Sequence, residues 1–176
     1  MAERPARENP YTVDDVLAIV REQKWLVSEP SVEHRAFCEH AASLLGHFVT
    51  DRTGLVELLR LVFSYDALRI LQSTEAHTVL SRYAARDVIR LLALFLLELV
   101  PFTSDRFKEA VTLLKEKLEL RGRDLFHPIR LALAGRSGEG ELDRVILLVD
   151  EAAVLEFAVP VKSIRARMLE FCSALD

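Results

Sequence analysis

The sequence predicts an all-α protein, and three observations lead to that prediction. Apolar residues recur at helical spacing in almost every segment of the 176-residue chain. No segment alternates apolar and polar residues over enough positions to demand a strand. Serine, threonine, glycine and proline, which begin and end helices, stand between the periodic segments. Because 51% of the residues are hydrophobic, the helices have ample side chains for a core.

Two helices are predicted between Thr12 and Phe48. Thr12 and Asp15 form a capping pair that opens the first helix. The apolar residues on one side of this helix are Val13, Val16, Leu17 and Val20. Pro30 and Ser31 begin the second helix. Its predicted inward side chains are Phe37, Leu44, Leu45 and Phe48. A turn at 51–54 is predicted to follow.

Three further helical segments are predicted before Pro101. The first has an apolar face made of Leu55, Leu58, Leu59 and Val62. A short helical piece runs over 65–71, and a longer stretch, broken once, covers 74–100. Pro101 is predicted to end this stretch, because proline cannot continue the backbone hydrogen-bond ladder. We therefore predict two packed helical subdomains, residues 1–100 and residues 101–176.

The second subdomain is predicted to open with a helix capped by Thr103 or Ser104 and ended by Gly122. Its core positions are Phe107, Val111, Leu114 and Leu118. A short helix is predicted over 128–134, because proline suits a first helical turn and Gly135 can close the last one. An apolar segment, 142–149, follows. Pro160 is predicted to open the final helix, whose core face carries Ile164, Met168 and Phe171.

Composition narrows the functional classes. The net charge of −4 argues against indiscriminate binding to nucleic acid, and no DNA partner is expected. Cys38 and Cys172 lack metal-ligand spacing, so we interpret them as free thiols of a reducing cytosol, with a disulfide as the alternative. The polar start of the chain is not a secretory signal. The most apolar run, 91–100, has about half the ~20 residues of a membrane helix. A cytoplasmic location without a membrane partner is expected.

Signals for an enzyme are poor. The sequence has no glycine-rich phosphate loop after a strand and no His-Glu-x-x-His motif. The histidines are scattered, and His127, directly before Pro128, is interpreted as a helix-entry residue rather than a catalytic base. Ser137 has no histidine or aspartate at a recognisable catalytic spacing. No catalytic residue, metal or cofactor is therefore predicted.

Charge and aromatic residues bear on nucleic-acid binding. Eight basic and four acidic residues lie between Arg106 and Arg136, whereas the rest of the chain carries a net charge of −8. A basic zone on an acidic body suits a single-face contact with phosphate, and a solvated helix face is the alternative interpretation. Aromatic rings that could lie exposed for stacking on bases are Tyr65, Tyr83 and Phe126.

One segment resembles a family signature. Residues 126–135 read Phe-His-Pro-Ile-Arg-Leu-Ala-Leu-Ala-Gly, similar to the Phe-x-Pro-Leu-Arg-x-Ala-Leu-Thr-Gly segment in the C-terminal, anticodon-binding half of bacterial glutamyl-tRNA synthetases. Residues 101–103, Pro-Phe-Thr, and 114–122, Leu-Lys-Glu-Lys-Leu-Glu-Leu-Arg-Gly, also follow the family pattern. A weaker match covers Thr53–Leu58 and Phe63–Asp66. The sequence contains neither the His-Ile-Gly-His-type nor the Lys-Met-Ser-Lys-Ser-type motif of the catalytic half.

The resemblance implies an anticodon-binding-like helical module without catalytic activity of its own. Its implied partner is a tRNA, with the glutamate tRNA as the candidate. The residues expected to contact RNA are Arg121, Arg123, Arg136, Ser137, Glu139 and Leu142. In this interpretation the three arginines neutralise phosphates, and the segment Ser137–Leu142 meets a base. The structural residues of the motif are Phe126, Pro128, Arg130 and Gly135, with Arg130 expected to tie this segment to its neighbours.

Two departures from the family pattern support an alternative. The family often has Ser/Thr-Pro-x-Leu after the glycine-containing bend, where this chain has Glu139-Gly140-Glu141-Leu142, and Ala134 replaces the signature threonine. Acids are unfavourable where an anionic RNA arrives, unless they accept from base amino groups. The alternative is a helical protein-interaction module that has lost RNA binding and contacts a separate catalytic subunit or another protein.

Overall fold

The computed structural model describes residues 8–176, and in this range it contains ten α-helices and no strand, which confirms the predicted all-α fold. The helices are α1 (Val13–Glu22), α2 (Val32–Leu45), α3 (Arg52–Phe63), α4 (Ala67–Leu71), α5 (Thr74–Leu80), α6 (Ala85–Phe95), α7 (Ser104–Leu118), α8 (Arg123–Ala134), α9 (Gly140–Ala153) and α10 (Ile164–Leu175). None of these helices is long and apolar enough to cross a membrane.

The N-terminal helices begin where the sequence predicts them. The backbone N–H of Thr12 donates to the Asp15 carboxylate at 2.8 Å, which fixes the start of α1, and Ser31 caps α2. The predicted inward position of Phe48 is wrong, because its side chain is 46% exposed. α2 ends at Leu45, and a 3-10 turn over Gly46–Phe48 carries the ring away from the apolar face.

Two segment boundaries differ from prediction in the first half. The predicted turn at 51–54 is the start of α3, because the Asp51 carboxylate accepts from the Gly54 N–H at 2.8 Å and caps the helix. The stretch 74–100 is broken at 81–84, as expected of one interruption, but helix α6 ends at Phe95 rather than at Pro101. The N–H of Phe102 donates to the Asp150 carboxylate at 2.8 Å, which draws the segment after α6 towards α9.

Helix α8 is longer than predicted. It begins at Arg123, so Pro128 lies inside it instead of in its first turn. Gly122 does not end α7, since Glu119 takes the left-handed conformation at that helix end and Gly122, with φ +61°, leads into α8. Gly135 closes α8 as predicted, with φ +84°. A Cβ added at Gly135 would lie 3.1 Å from the Ile70 side chain.

The last two helices also have shifted boundaries. The predicted segment 142–149 is the centre of α9, which starts at Gly140 and continues to Ala153. The final helix begins at Ile164 rather than at Pro160, because Ser163 provides the cap. The predicted apolar face of this helix is confirmed, since its three residues are at most 1% exposed.

The helices share a continuous core. Helix α9 packs on α2 and α3, and α10 packs on α4, α6 and α8, and the buried side chains of these helices form a single hydrophobic cluster. On α7, Leu114 is buried, whereas Phe107, Val111 and Leu118 are only half-buried. The division into subdomains at residue 100 stays a prediction. In the structure this position lies between α6 and α7, and helices from both sides of it contact one another.

A buried arginine joins the two halves of the chain. Arg167 of α10 is fully buried, and its guanidinium donates only to backbone carbonyls. The acceptors, at 2.7–3.1 Å, are the carbonyls of Leu61, Val62, Leu133 and Lys162. Leu61 and Val62 belong to the last turn of α3 and Leu133 to the last turn of α8, where carbonyls lack partners within their own helix.

Tyr65 completes this arrangement. Its hydroxyl donates to the carbonyl of Ala132 at 2.5 Å, and its ring lies 4.8 Å from the Arg167 guanidinium carbon. Burial lowers the pKa of Arg167 to about 10, so the guanidinium is charged at neutral pH. A positive charge at the carbonyl ends of two helices is favourable, because the helix dipole is negative there.

Replacing Arg167 with methionine is expected to lower the free energy of unfolding by about 3 kcal/mol or more, since each buried carbonyl left without a donor costs about 1–3 kcal/mol. Urea denaturation followed by circular dichroism measures the change. Arg165→Met, at an exposed position of the same helix, is the control and should stay within about 0.5 kcal/mol of wild type. Equal stability of the two variants would contradict the role given to Arg167.

Candidate nucleic-acid interface

Exposed arginines flank both ends of α8. Arg121 and Arg123 lie at its start, and Arg136 follows its end. A helix of 12 residues is about 18 Å long, so these side chains sit on a surface that spans several phosphate spacings. Residues 135–139, which we call the bend, connect α8 to α9.

Arg130 folds the bend back onto α8. Its Nε and Nη2 donate to the two Asp143 carboxylate oxygens at 2.8 and 3.0 Å, and its Nη1 donates to the carbonyl of Gly138 at 3.0 Å. The side chain is 10% exposed and lies 4.9 Å from the Phe126 ring. Its charge is compensated by Asp143 in a bidentate pair. Arg130 therefore shapes the surface and is not free to bind phosphate.

Ser137 fixes the bend from the other side. Its backbone N–H and its hydroxyl both donate to one carboxylate oxygen of Glu75 on α5, at 2.8 and 2.6 Å. Burial acts to raise the pKa of Glu75, but the hydrogen bonds from Ser137 and the charge of Arg136 outweigh it and lower the pKa. The Ser137 hydroxyl is thus already engaged within the protein, and Glu75 stays ionised at neutral pH.

The residues after the bend serve α9. Leu142, predicted to meet a base, is 2% exposed, so its side chain belongs to the core and only supports the bend. Glu139 is exposed at the N-cap of α9, and the Glu141 carboxylate accepts from its N–H at 3.2 Å. Acids in a first helical turn are favourable, because the helix dipole is positive there. The sequence analysis did not predict this role of Glu139 and Glu141 at the start of α9, because it began the helical segment at Leu142.

Two residues missed by the sequence prediction join this surface. Nη1 of Arg82, in the turn between α5 and α6, lies 2.8 Å from Nδ1 of His127 on α8. Because arginine only donates, Nδ1 accepts and the imidazole carries its proton on Nε2. His127 is therefore a mid-helix partner of Arg82, not the helix-entry residue that its neighbour Pro128 indicated. Sequence patterns cannot pair residues 45 positions apart.

Burial lowers the pKa of His127, and the nearby charges of Arg82, Arg130 and Arg123 lower it further, against the opposing charge of Glu139. The imidazole is accordingly neutral at physiological pH. Arg82, Arg123 and Arg130 therefore all lie near His127, where α8 meets the turn before α6.

The basic zone predicted from sequence is divided in the structure. Arg106 is withdrawn into ion pairs with Glu98 and Glu109, at 3.1 and 2.9 Å, and lies over the Phe95 ring. The lysines of α7 remain exposed; they are Lys108, Lys115 and Lys117. The accessible positive charge therefore comes from α7, the start of α8 and the bend.

The described part of the chain also bears on metal binding and on cysteine reactivity. Residues 8–176 contain no group of three or more histidine, cysteine, aspartate or glutamate side chains that could hold a metal ion. Cys38 and Cys172 are free thiols, and burial raises the pKa of Cys38 to about 11, which leaves it protonated and unreactive.

The chain is similar to known proteins over most of its length. A family model described as an anticodon binding domain matches residues 15–156. The chain is 34% identical over 102 residues to the glutamate–tRNA ligase of Bacillus licheniformis, which covers 58% of this chain and 20% of that protein. It is 28% identical over 131 residues to the glutamate–tRNA ligase of Geobacillus thermodenitrificans, covering 74% of this chain and 26% of that protein.

The glutamate–tRNA ligase of Bacillus subtilis shows the same relationship, with 28% identity over 129 residues, 73% of this chain and 26% of that protein. The matched region is the C-terminal part of these ligases. The chain thus spans about a quarter of the length of the relatives it matches. No solved structure matches the chain significantly.

The lowered pKa of His127 leads to a pH dependence of stability. Its pKa in the folded protein is below the ordinary value of 6.5, so the folded state binds fewer protons than the unfolded state. The corresponding stability is fully present above pH 6.5 and is lost as the pH falls from there through the folded pKa. Urea unfolding between about pH 7.5 and 5.5 measures it. His127→Asn, which retains an acceptor for Arg82 but does not titrate, should lose stability less steeply. Identical pH profiles would contradict the assignment.

Proposed function

Because the chain belongs to the anticodon-binding domain family, we propose that it binds tRNA through the surface formed by α8 and the bend. The observation that carries the proposal is the set of exposed arginines at both ends of a helix whose connection to α9 is held in place by Arg130 and Glu75. The family relation supplies the ligand class. The relatives are glutamate–tRNA ligases, which makes the glutamate tRNA the proposed partner.

The arginines act on the RNA backbone. Arg121, Arg123 and Arg136 are exposed, and none is held in an ion pair within 4 Å in the described residues. Cations that replace condensed counterions on phosphates produce salt-dependent affinity. The net charge of −4 restricts this attraction to one face, because the remainder of the protein repels RNA.

The bend is proposed to approach a base. The exposed Glu139 carboxylate can accept a hydrogen bond from a base amino group, whereas it would repel a phosphate. The Ser137 hydroxyl donates to Glu75 and still has acceptor capacity. Backbone and side chains of the bend are held from two sides, by Arg130 and Glu75, so little ordering is required when RNA binds.

Activation of glutamate, unlike RNA binding, is not proposed for this chain. The sequence contains neither the His-Ile-Gly-His-type nor the Lys-Met-Ser-Lys-Ser-type motif of the catalytic half, and the chain spans about a quarter of its relatives' length. We therefore propose that this region does not activate glutamate by itself and contributes RNA recognition, in the cytoplasm, where tRNA is charged.

An exposed apolar cleft favours a second candidate function, docking to a protein. Leu99 and Val154 are 84% and 82% exposed, and with Val100 and Phe102 they line a cleft of about 370 Å³ between the end of α6, α9 and the start of α10. Contiguous exposed apolar surface is typical of protein-binding sites. In this alternative the cleft binds the catalytic part of a glutamate–tRNA ligase supplied as a separate chain.

Replacing Arg121, Arg123 and Arg136 together with alanine is expected to weaken tRNA binding and to reduce its salt dependence. Removing one arginine–phosphate interaction lowers the slope of log affinity against log salt by about 0.7–0.9, so the combined change for three arginines is about 2.1–2.7. Fluorescence anisotropy with a labelled transcript of a bacterial glutamate tRNA, over a series of salt concentrations, measures both quantities. An unchanged slope would contradict the assigned phosphate interactions.

The docking alternative is tested with a glutamate–tRNA ligase fragment that lacks the matched C-terminal region. Light scattering after size-exclusion chromatography is expected to detect a complex that Val154→Ser weakens, because this change removes apolar area from the cleft. Val32→Ser is the matched control, since Val32 is 80% exposed on α2. Absence of a complex, or equal weakening by both substitutions, would exclude the cleft as the docking site.

A further inference from the structure

The turn between α5 and α6 carries an exposed aromatic ring. Tyr83 is 88% exposed, whereas the other two candidates for exposed rings, Tyr65 and Phe126, are buried and half-buried. No ring or hydrogen-bond contact ties the Tyr83 side chain to the rest of the described chain. An open ring of this kind offers both faces to a ligand.

The backbone of this turn is well defined. The N–H of Arg82 donates to the carbonyl of Val79 at 3.2 Å, and the N–H of Ala85 donates to the carbonyl of Arg82 at 3.3 Å. Ala84 takes the left-handed conformation, with φ +60°, and leads into α6. The Ser81 hydroxyl donates to the carbonyl of Thr78 at 2.8 Å. The ring is therefore presented from a fixed turn.

Arg82 connects the turn to the α8 surface. Its Nη1 is held at 2.8 Å by the neutral His127, which leaves the other guanidinium N–H groups without a carboxylate partner within 4 Å among the described residues. His127 lies within electrostatic reach of Arg123 and Arg130. The charged group of Arg82 and the exposed ring of Tyr83 thus lie on adjacent residues, beside the α8 surface that is proposed to bind phosphates.

We propose that the turn 81–84 is a second RNA-contacting element, in which Arg82 binds a phosphate and Tyr83 stacks on an unpaired base. His127 is a positioning residue that aims Arg82. This inference rests on the proposed binding of tRNA and adds a site for a single-stranded, unstacked nucleotide. Base–aromatic stacking tolerates any base, because every base has a π-face, so the turn contributes affinity for a loop rather than recognition of sequence.

The two contacts give different experimental signatures. Affinity is measured by anisotropy for a synthetic anticodon stem–loop of about 17 nucleotides, in which about five base pairs close an unpaired loop, and for a fully paired RNA duplex of similar size. Tyr83→Ala is expected to weaken stem–loop binding about five-fold or more, the lower limit for removal of one stacked base, with an unchanged salt slope. Duplex binding should not change. Tyr83→Phe, which keeps the ring, should bind like wild type.

Arg82→Gln is expected to lower the salt slope by about 0.7–0.9 for the stem–loop. His127→Ala should resemble Arg82→Gln and add little to it in the double variant, because both act through one contact. His127→Asn should restore binding, since its side-chain oxygen can accept from Arg82. Arg35→Gln makes the same charge change at an exposed position of α2 and is the control. Thermal melting verifies that each variant is folded.

The outcomes separate this inference from the proposed function. If the triple arginine variant loses stem–loop binding while Tyr83→Ala and Arg82→Gln bind like wild type, the turn is not an RNA contact and the α8 surface stands. Equal weakening of stem–loop and duplex by Tyr83→Ala would also overturn the stacking role. If the wild-type chain binds neither RNA at low salt, the proposed function and this inference are both wrong.

Discussion

The structure depends on how the carbonyl ends of α3 and α8 are accommodated inside the core. Both helices end in apolar surroundings, where unpaired carbonyls are costly. The buried guanidinium of Arg167 and the Tyr65 hydroxyl satisfy them together, by donating to carbonyls of Leu61, Val62, Ala132 and Leu133. No carboxylate lies within 4 Å of Arg167 in the described residues. Its charge is stabilised by carbonyl oxygens at two helix ends and, at longer range, by Asp150 and Glu170. A long-range constraint of this kind ties the early helices to the last helix of the chain.

This constraint also determines where the candidate RNA surface lies. The C-terminal end of α8 is fixed in the core by Arg167 and Tyr65, and the chain must leave it through Gly135 in a left-handed conformation close to Ile70. Arg130 and Glu75 then hold the bend against α8 and α5. The residues proposed to bind RNA consequently project from a scaffold whose geometry is set by internal polar contacts. The residues predicted to contact RNA divide accordingly into two groups. Ser137 and Leu142 are part of the scaffold. Exposed residues are Arg121, Arg123, Arg136 and Glu139.

Much of the fold follows from local sequence signals, whereas the site follows from contacts across the chain. Capping residues such as Thr12 and Thr103 and the closing Gly135 mark helix ends correctly, because their effects are local. Pro128 misleads, since a proline favours a first turn but is tolerated inside α8. Gly122 also misleads, because its positive φ serves the entry into α8 and not the end of α7. The pairing of Arg82 with His127 and the burial of Arg167 could not be predicted, as each depends on residues tens of positions away.

The central claim is that this member of the anticodon-binding domain family contacts RNA with arginines that are exposed in the free protein, while its buried arginines hold the fold. Side-chain Nε–H NMR signals of ¹⁵N-arginine-labelled protein, titrated with an anticodon stem–loop, test this claim residue by residue. We predict that the signals of the exposed Arg121, Arg123 and Arg136 and of the half-buried Arg82 shift on addition of RNA, and that those of the buried Arg130 and Arg167 do not. Unchanged spectra, or a shift confined to Arg165, which lines the apolar cleft, would contradict it.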